Sequence, residues 1–252
     1  MKVIYKKFLI LGCVILTIFV NILANLIPIN GNTTGAVSDS FQVYFVPAGY
    51  AFSIWGLIYL ALLVYAVAPL LSTSLNSEML KKTFPWFVLS SFANILWIFA
   101  WHYKIIELTV ILMLVLLVSL IKIYIASNIE ISMKSLRDRI VLQYPFSLYL
   151  GWISVATLAN VTVFLFSIHW DGVGIGGQTW SAILISVASI LGLIFLIKSK
   201  DIIFASVIVW AIIAVGVKFR EEGIILGSVI NTSILLITFI LITIGKRIYK
   251  KQ

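Results

Sequence analysis

Charged and polar positions punctuate this chain rather than alternate with apolar ones. Between them run eight apolar segments, roughly Phe8–Ile27, Val46–Leu70, Phe84–Trp101, Ile105–Ser127, Ile140–Ile168, Trp180–Ile197, Ile202–Val217 and Ile224–Ile244. Each is long enough, or nearly so, to cross a ~30 Å hydrocarbon core as a helix. The seventh is the shortest, at 16 residues. The first follows Lys2, Lys6 and Lys7 but has no small-residue cleavage site after it, which predicts a retained span rather than a leader. The pattern predicts an all-α, polytopic membrane bundle of about eight transmembrane helices.

Composition agrees with the pattern. Of 252 residues 62% are hydrophobic and 11% charged, with mean hydropathy +1.14. A soluble domain carries roughly 25% charged residues. The net charge of +9 would suggest nucleic acid in a soluble protein, but here it sorts by side. With the N-terminus inside, 15 of the 18 basic residues fall at inner ends, leaving only Lys104, Lys218 and Arg220 outside. Four acids lie inside and five outside, so the inner face carries +11 and the outer −2. The positive-inside rule then puts both termini in the cytoplasm, in what we expect to be a bacterial cytoplasmic membrane, and assigns no nucleic-acid partner. A single cysteine, Cys13, excludes an internal disulfide and a cysteine-based metal site.

Polar and aromatic residues inside the spans carry the chemistry. In GWISVATLAN, Trp152, Ala156 and Asn160 recur at i, i+4 and i+8 and share one helical face, with Thr157 beside them. An unpaired amide in hydrocarbon costs several kcal/mol, so that face is expected to look inward. Trp55 and Tyr59 stand one turn apart in the second span; Asn94, Trp97 and Trp101 share a face of the third. The plainer readings are interhelical hydrogen bonding for Asn94 and Asn160, and an interfacial belt for Trp86, Trp101, Trp170 and Trp180. His102 and His169 are expected at the outer interface rather than as haem or metal ligands. The outer loop HWDGVGIGGQT contains G-x-G-x-x-G but has no strand before it, so it is read as a connector. The first outer loop, INGNTTGAVSDSFQVYF, is polar and is expected to be a mobile lid.

Three of these motifs, in order and spacing, resemble the tryptophan-rich sensory protein / translocator protein family of five-span membrane proteins. The step Trp55–Tyr59 resembles that family's second helix, Asn94–Trp97 its third, and YLGWISVATLAN from Tyr149 to Asn160 its fifth. The resemblance covers residues 1–168 and implies a five-helix core there, with three additional helices over 169–252. It implies a flat apolar ligand of porphyrin or haem type, bound between helices for sensing or transport, with no obligatory cofactor. Trp55, Tyr59, Trp97, Trp101 and Trp152 would wall the ligand; Asn94, Thr157 and Asn160 would bond its polar edge; Ala156 would leave it space. The partners are then the bilayer, a hydrophobic small molecule and, as an open alternative, a second copy. No acid–base pair or metal cluster supports ordinary catalysis, so no catalytic or metal residues are assigned. Light-dependent porphyrin degradation and a ligand-free scaffold or permeation role remain the alternatives. Among the last three spans, Gly223 and Gly227 form a small-xxx-small pair suited to close helix packing.

Overall fold

The structure is a computed structural model that describes residues 3–71, 77–131 and 135–249. Lys2, Lys134, Lys250 and Lys251 lie outside the described residues, as do the side chains of Glu78 and Glu130. Among the described residues ten helices run in the order α1 (Val3–Leu26), α2 (Thr34–Asp39), α3 (Ile54–Leu71), α4 (Ser77–His102), α5 (Ile106–Ile131), α6 (Leu136–Asp138), α7 (Tyr144–Ser167), α8 (Gly177–Ser199), α9 (Ile202–Lys218) and α10 (Gly223–Tyr249). Short 3-10 turns at Ile29–Gly31, Gly49–Ser53 and Gly172–Gly174 link them, and there is no strand among the described residues. Among the described residues seven helical stretches are long and apolar enough to span a membrane. The eighth apolar helix, α9, has 17 residues, about 26 Å, the lower limit for a span. The chain is a polytopic helical membrane protein.

Residues 1–37 and 52–153 form one compact unit, and 38–51 with 154–252 form a second. In the first, α1 packs on α3 and α4, and α4 on α5. The buried positions of α1, among them Ile10, Val14, Thr17, Asn21 and Ala24, follow a three-and-four spacing, while Ile15, Phe19 and Ile22 face outward. A helix apolar all round suits lipid on one side and protein on the other. The core of this unit is a ring set, with Tyr65 fully buried against Phe146 (4.7 Å between centroids) and Phe87 (5.3 Å). Before α7, residues Arg139–Gln143 form a π-helical turn in which the Tyr144 N–H reaches the Arg139 carbonyl. Pro145 explains it: proline has no N–H to give the turn below and its ring crowds that turn's carbonyl, so a wider turn relieves both.

In the second unit α8, α9 and α10 pack on one another. α9 is buried on almost every face, from Phe204 to Gly216, and is held at its start by Asp201, whose carboxylate accepts the Phe204 N–H at 3.0 Å. That is an N-cap. The close approach of α9 and α10 is made at Gly216, where an added Cβ would stand 2.8 Å from Val229 Cγ1. The expected packing pair, Gly223 and Gly227, meets nothing within 4 Å. Glycine spacing on one helix marks a face that can be approached; which face is approached depends on the partner helix. A Gly216→Ala variant should therefore lose about 1–3 kcal/mol through overpacking, whereas Gly223→Ala and Gly227→Ala should melt like the parent in a thermal scan.

The first outer loop also departs from expectation. It is folded and pinned rather than a polar flap. Thr34 and Val37 are buried in the first unit; Val43, Phe45, Val46 and Pro47 are buried in the second. There the Tyr44 carbonyl accepts from Ser181 Oγ at 2.9 Å, the Ala48 N–H donates to the Ala214 carbonyl at 3.0 Å, and Lys218 pairs with Asp39.

Candidate ligand-binding site

The first unit gathers rings from three elements. The turn before α3 supplies Phe52, α3 supplies Trp55 and Tyr59, and α7 supplies Tyr149 and Trp152. Trp55 is the hub. Its indole stacks on Tyr59 (5.5 Å, 18° between planes) and meets Tyr149 (5.7 Å) and Trp152 (6.2 Å) edge to face. Phe52 closes on Trp152 at 5.9 Å, again edge to face. These separations are those aromatic pairs prefer. Tyr59 and Trp152 are buried, whereas Trp55 and Phe52 are half-buried and form the approachable edge.

Beneath the rings runs a line of amides. Asn94 is fully buried; its Oδ1 accepts from Asn21 Nδ2 at 2.9 Å and its Nδ2 donates to the Tyr149 hydroxyl at 2.9 Å. Asn21 also donates to the Thr17 carbonyl at 2.9 Å. Three helices are thus joined by neutral side-chain bonds that leave the Asn94 amide satisfied at membrane depth. The buried polar atoms of this unit that have no partner in the protein include the Tyr59 hydroxyl and the indole N–H groups of Trp97 and Trp152, besides Thr17 Oγ1 and His102 Nε2. Buried polar groups are ordinarily bonded, and each exception asks for an explanation.

The sequence-derived residues therefore divide. Trp55, Tyr59 and Trp152 come together in one cluster, with Asn94 bonded to its Tyr149. Trp97 and Trp101 form their own stack (5.2 Å, 17°), and the Trp101 N–H donates to the Thr34 carbonyl at 3.2 Å. Trp101 is only 4% exposed, so it is an internal tie between α4 and the first loop rather than part of an interfacial belt. Thr157 and Asn160 are buried and Ala156 half-buried further along α7, in the part of the chain that belongs to the second unit. His102 also differs from expectation: it is fully buried, with Nδ1 2.7 Å from the Ile98 carbonyl, and its own carbonyl accepts from Asn30. His169 is exposed. Trp170 and Trp180 do pair near the second outer loop, at 5.0 Å, and the Trp180 N–H donates to Gly172.

Phe52, Tyr149 and Asn21 join the site without having been assigned to it. Tyr149 had a signal, its three-residue step to Trp152 on the same helix face. Asn21 had another, an amide one turn from Asn25 in a mostly apolar first span. Phe52 had none, because its position depends on the turn ahead of α3.

A bundle of long apolar helices with buried aromatic and amide side chains defines a polytopic integral membrane protein. Comparison with known families is specific: the family model for TSPO-like protein matches residues 7–245, and the chain belongs to that family. The match takes in α8, α9 and most of α10 as well as residues 7–168. No curated protein and no solved structure matches the chain.

Proposed function

We propose that the protein binds a flat, apolar ligand of the tetrapyrrole type at the Trp55 cluster, for sensing or transport. The observation that supports this reading best is the coincidence of five stacked or edge-on rings with unpartnered, buried donors at Tyr59 and Trp152. A planar guest finds aromatic faces there, and acceptor atoms on its rim find the donors. All polar groups at the cluster and the amide line are neutral, so binding should depend little on ionic strength, unlike recognition built on charged pairs. Both chain ends would lie on the cytoplasmic side, the orientation that the distribution of basic residues favours.

The test is a titration of the full chain in lipid nanodiscs with protoporphyrin, in the dark and under illumination. The expected result is tryptophan quenching and a shifted porphyrin absorption band, unchanged between 50 mM and 500 mM salt, with the porphyrin recovered intact. Loss of porphyrin in the light would favour a degrading activity instead. No spectral change in either condition would overturn ligand binding of this type.

A further inference from the structure

Two lysines at the end of the first unit where α1 begins are engaged within it. Lys7 donates to the Pro69 carbonyl and so holds the last turn of α3, and Lys6 lies 5.2 Å above the Phe84 ring. Lys122 on α5 is placed differently. It is the one charge between Glu107 and the end of the apolar stretch Ile106–Ser127, and its side chain is exposed. The described residues bring it no carboxylate; its ammonium stands 6.0 Å from the centre of the Trp86 ring on α4. An ionisable side chain inside a span ordinarily marks a site. On the outside of a bundle, that site faces lipid.

Height and neighbours say which part of a lipid. Trp86 lies 16 residues from the His102 end of α4, and Lys122 lies 16 from the Ile106 start of α5. Both therefore stand ~24 Å from that end. A hydrocarbon core is ~30 Å thick, so both are close to its far boundary, where glycerol esters and phosphates begin. Trp86 is half-buried, and its indole N–H makes no hydrogen bond within the described residues. Lys82 is exposed one turn away on the same face of α4 and brings a second cation to the indole. One turn towards the membrane centre, Leu89 on α4 and Val118 on α5 are 42% and 48% exposed. They give an aliphatic surface beneath the charges.

We propose that Lys122, Trp86 and Lys82 bind the headgroup of an anionic phospholipid, in the leaflet on the side where α1 begins. The phosphate accepts from the two ammonium groups, the indole N–H donates to a glycerol ester carbonyl, and an acyl chain lies over Leu89 and Val118. Contact with the ring steadies the Lys122 ammonium and leaves its outward N–H directions to the phosphate. Charge selects the headgroup. Phosphatidylglycerol brings a net negative charge to the two lysines, whereas phosphatidylcholine would set its own cation against them.

The experiment titrates the full chain in mild detergent with dioleoylphosphatidylglycerol or dioleoylphosphatidylcholine, and reads retained lipid and its Kd by native mass spectrometry. The expected result is one retained phosphatidylglycerol, bound about tenfold more tightly than phosphatidylcholine. Lys122→Gln should raise the phosphatidylglycerol Kd about tenfold, equivalent to about 1.4 kcal/mol, while Lys122→Arg keeps it within about threefold. Lys82→Gln and Trp86→Leu should each raise it severalfold. Lys6→Gln removes the same charge at the same end and should leave it unchanged. Excess glycerol 3-phosphate should not displace the lipid, because it has no acyl chain to lay on Leu89 and Val118. Helical content and melting of Lys122→Gln in phosphatidylcholine nanodiscs should match the parent; should they not, Lys82→Gln takes its place in the comparison. An unchanged Kd for the variant so compared, an equal loss in Lys6→Gln, or equal retention of the two lipids would overturn the proposal.

Discussion

An Asn94→Leu variant should lose roughly 2–4 kcal/mol of stability, the largest effect expected from a single substitution in the first unit. The change removes two bonds of 2.9 Å, leaves the Asn21 amide with only its bond to the Thr17 carbonyl, and strands the Tyr149 hydroxyl. In a soluble protein water could enter to satisfy them. Within a bilayer the alternatives are fewer, although an unfolded chain in the membrane also finds partners, which limits each bond to about 0.6–1.7 kcal/mol. Most of the loss then comes from the stranded Tyr149 hydroxyl, costing about 1–3 kcal/mol. Tyr149→Phe is the graded control. It removes one acceptor, leaves the Asn21–Asn94 bond standing, and should lose about half as much. Reversible unfolding in mixed micelles measures both. Equal stability of Asn94→Leu and the parent would mean that the amide line contributes nothing to holding α1, α4 and α7 together.

Ligand affinity should respond most to Trp55. Its ring is the one that touches Tyr59, Tyr149 and Trp152 together, and it is half-buried, so Trp55→Ala removes a reachable aromatic face. A lost ring contact is worth about 0.5–1.5 kcal/mol beyond the buried area. With the area included, affinity for protoporphyrin should fall roughly 10- to 100-fold, or about 1.4–2.8 kcal/mol. Trp101→Phe provides the contrast. It breaks the bond to the Thr34 carbonyl and should lower stability, yet leave affinity within about threefold, because Trp101 ties α4 to the first loop. The same titration, run beside a melting curve for each variant, separates the two. If Trp101→Phe loses the ligand and Trp55→Ala keeps it, the site has been placed on the wrong rings.

What could be read in the sequence follows the range of the interactions concerned. Helices declared themselves because a bilayer demands long apolar runs and satisfied backbones; even the short seventh run became α9. Their ends moved by several residues, since terminal turns are set by caps such as Asp201 and by polar flanks that hydropathy ignores. The Trp55–Tyr59 stack and the shared face of Trp97 and Trp101 were legible because both rest on spacing within one helix. The amide line was not, as Asn21, Asn94 and Tyr149 are separated by 73 and 55 residues. The burial of His102 was hidden for the same reason: a polar side chain at a span end reads as interfacial until the first loop is seen covering it. Gly216 was overlooked in favour of Gly223 and Gly227 because a lone glycine gives no periodic signal.

The docking of residues 38–51 in the second unit has a consequence for how the chain is made. This segment leaves the ribosome far ahead of what it will bind: Tyr44 waits for Ser181, 137 residues later, and Asp39 for Lys218, 179 residues later. At about 5–20 residues per second, that is an interval of several seconds to about half a minute. During it the buried side chains of Val43, Phe45 and Val46 have no native cover. The insertion machinery must therefore hold this stretch out of premature contacts until α8 and α9 have entered the membrane. A chain stalled or truncated before Ser181 would present a sticky apolar loop at the membrane surface, a natural mark for quality-control proteases.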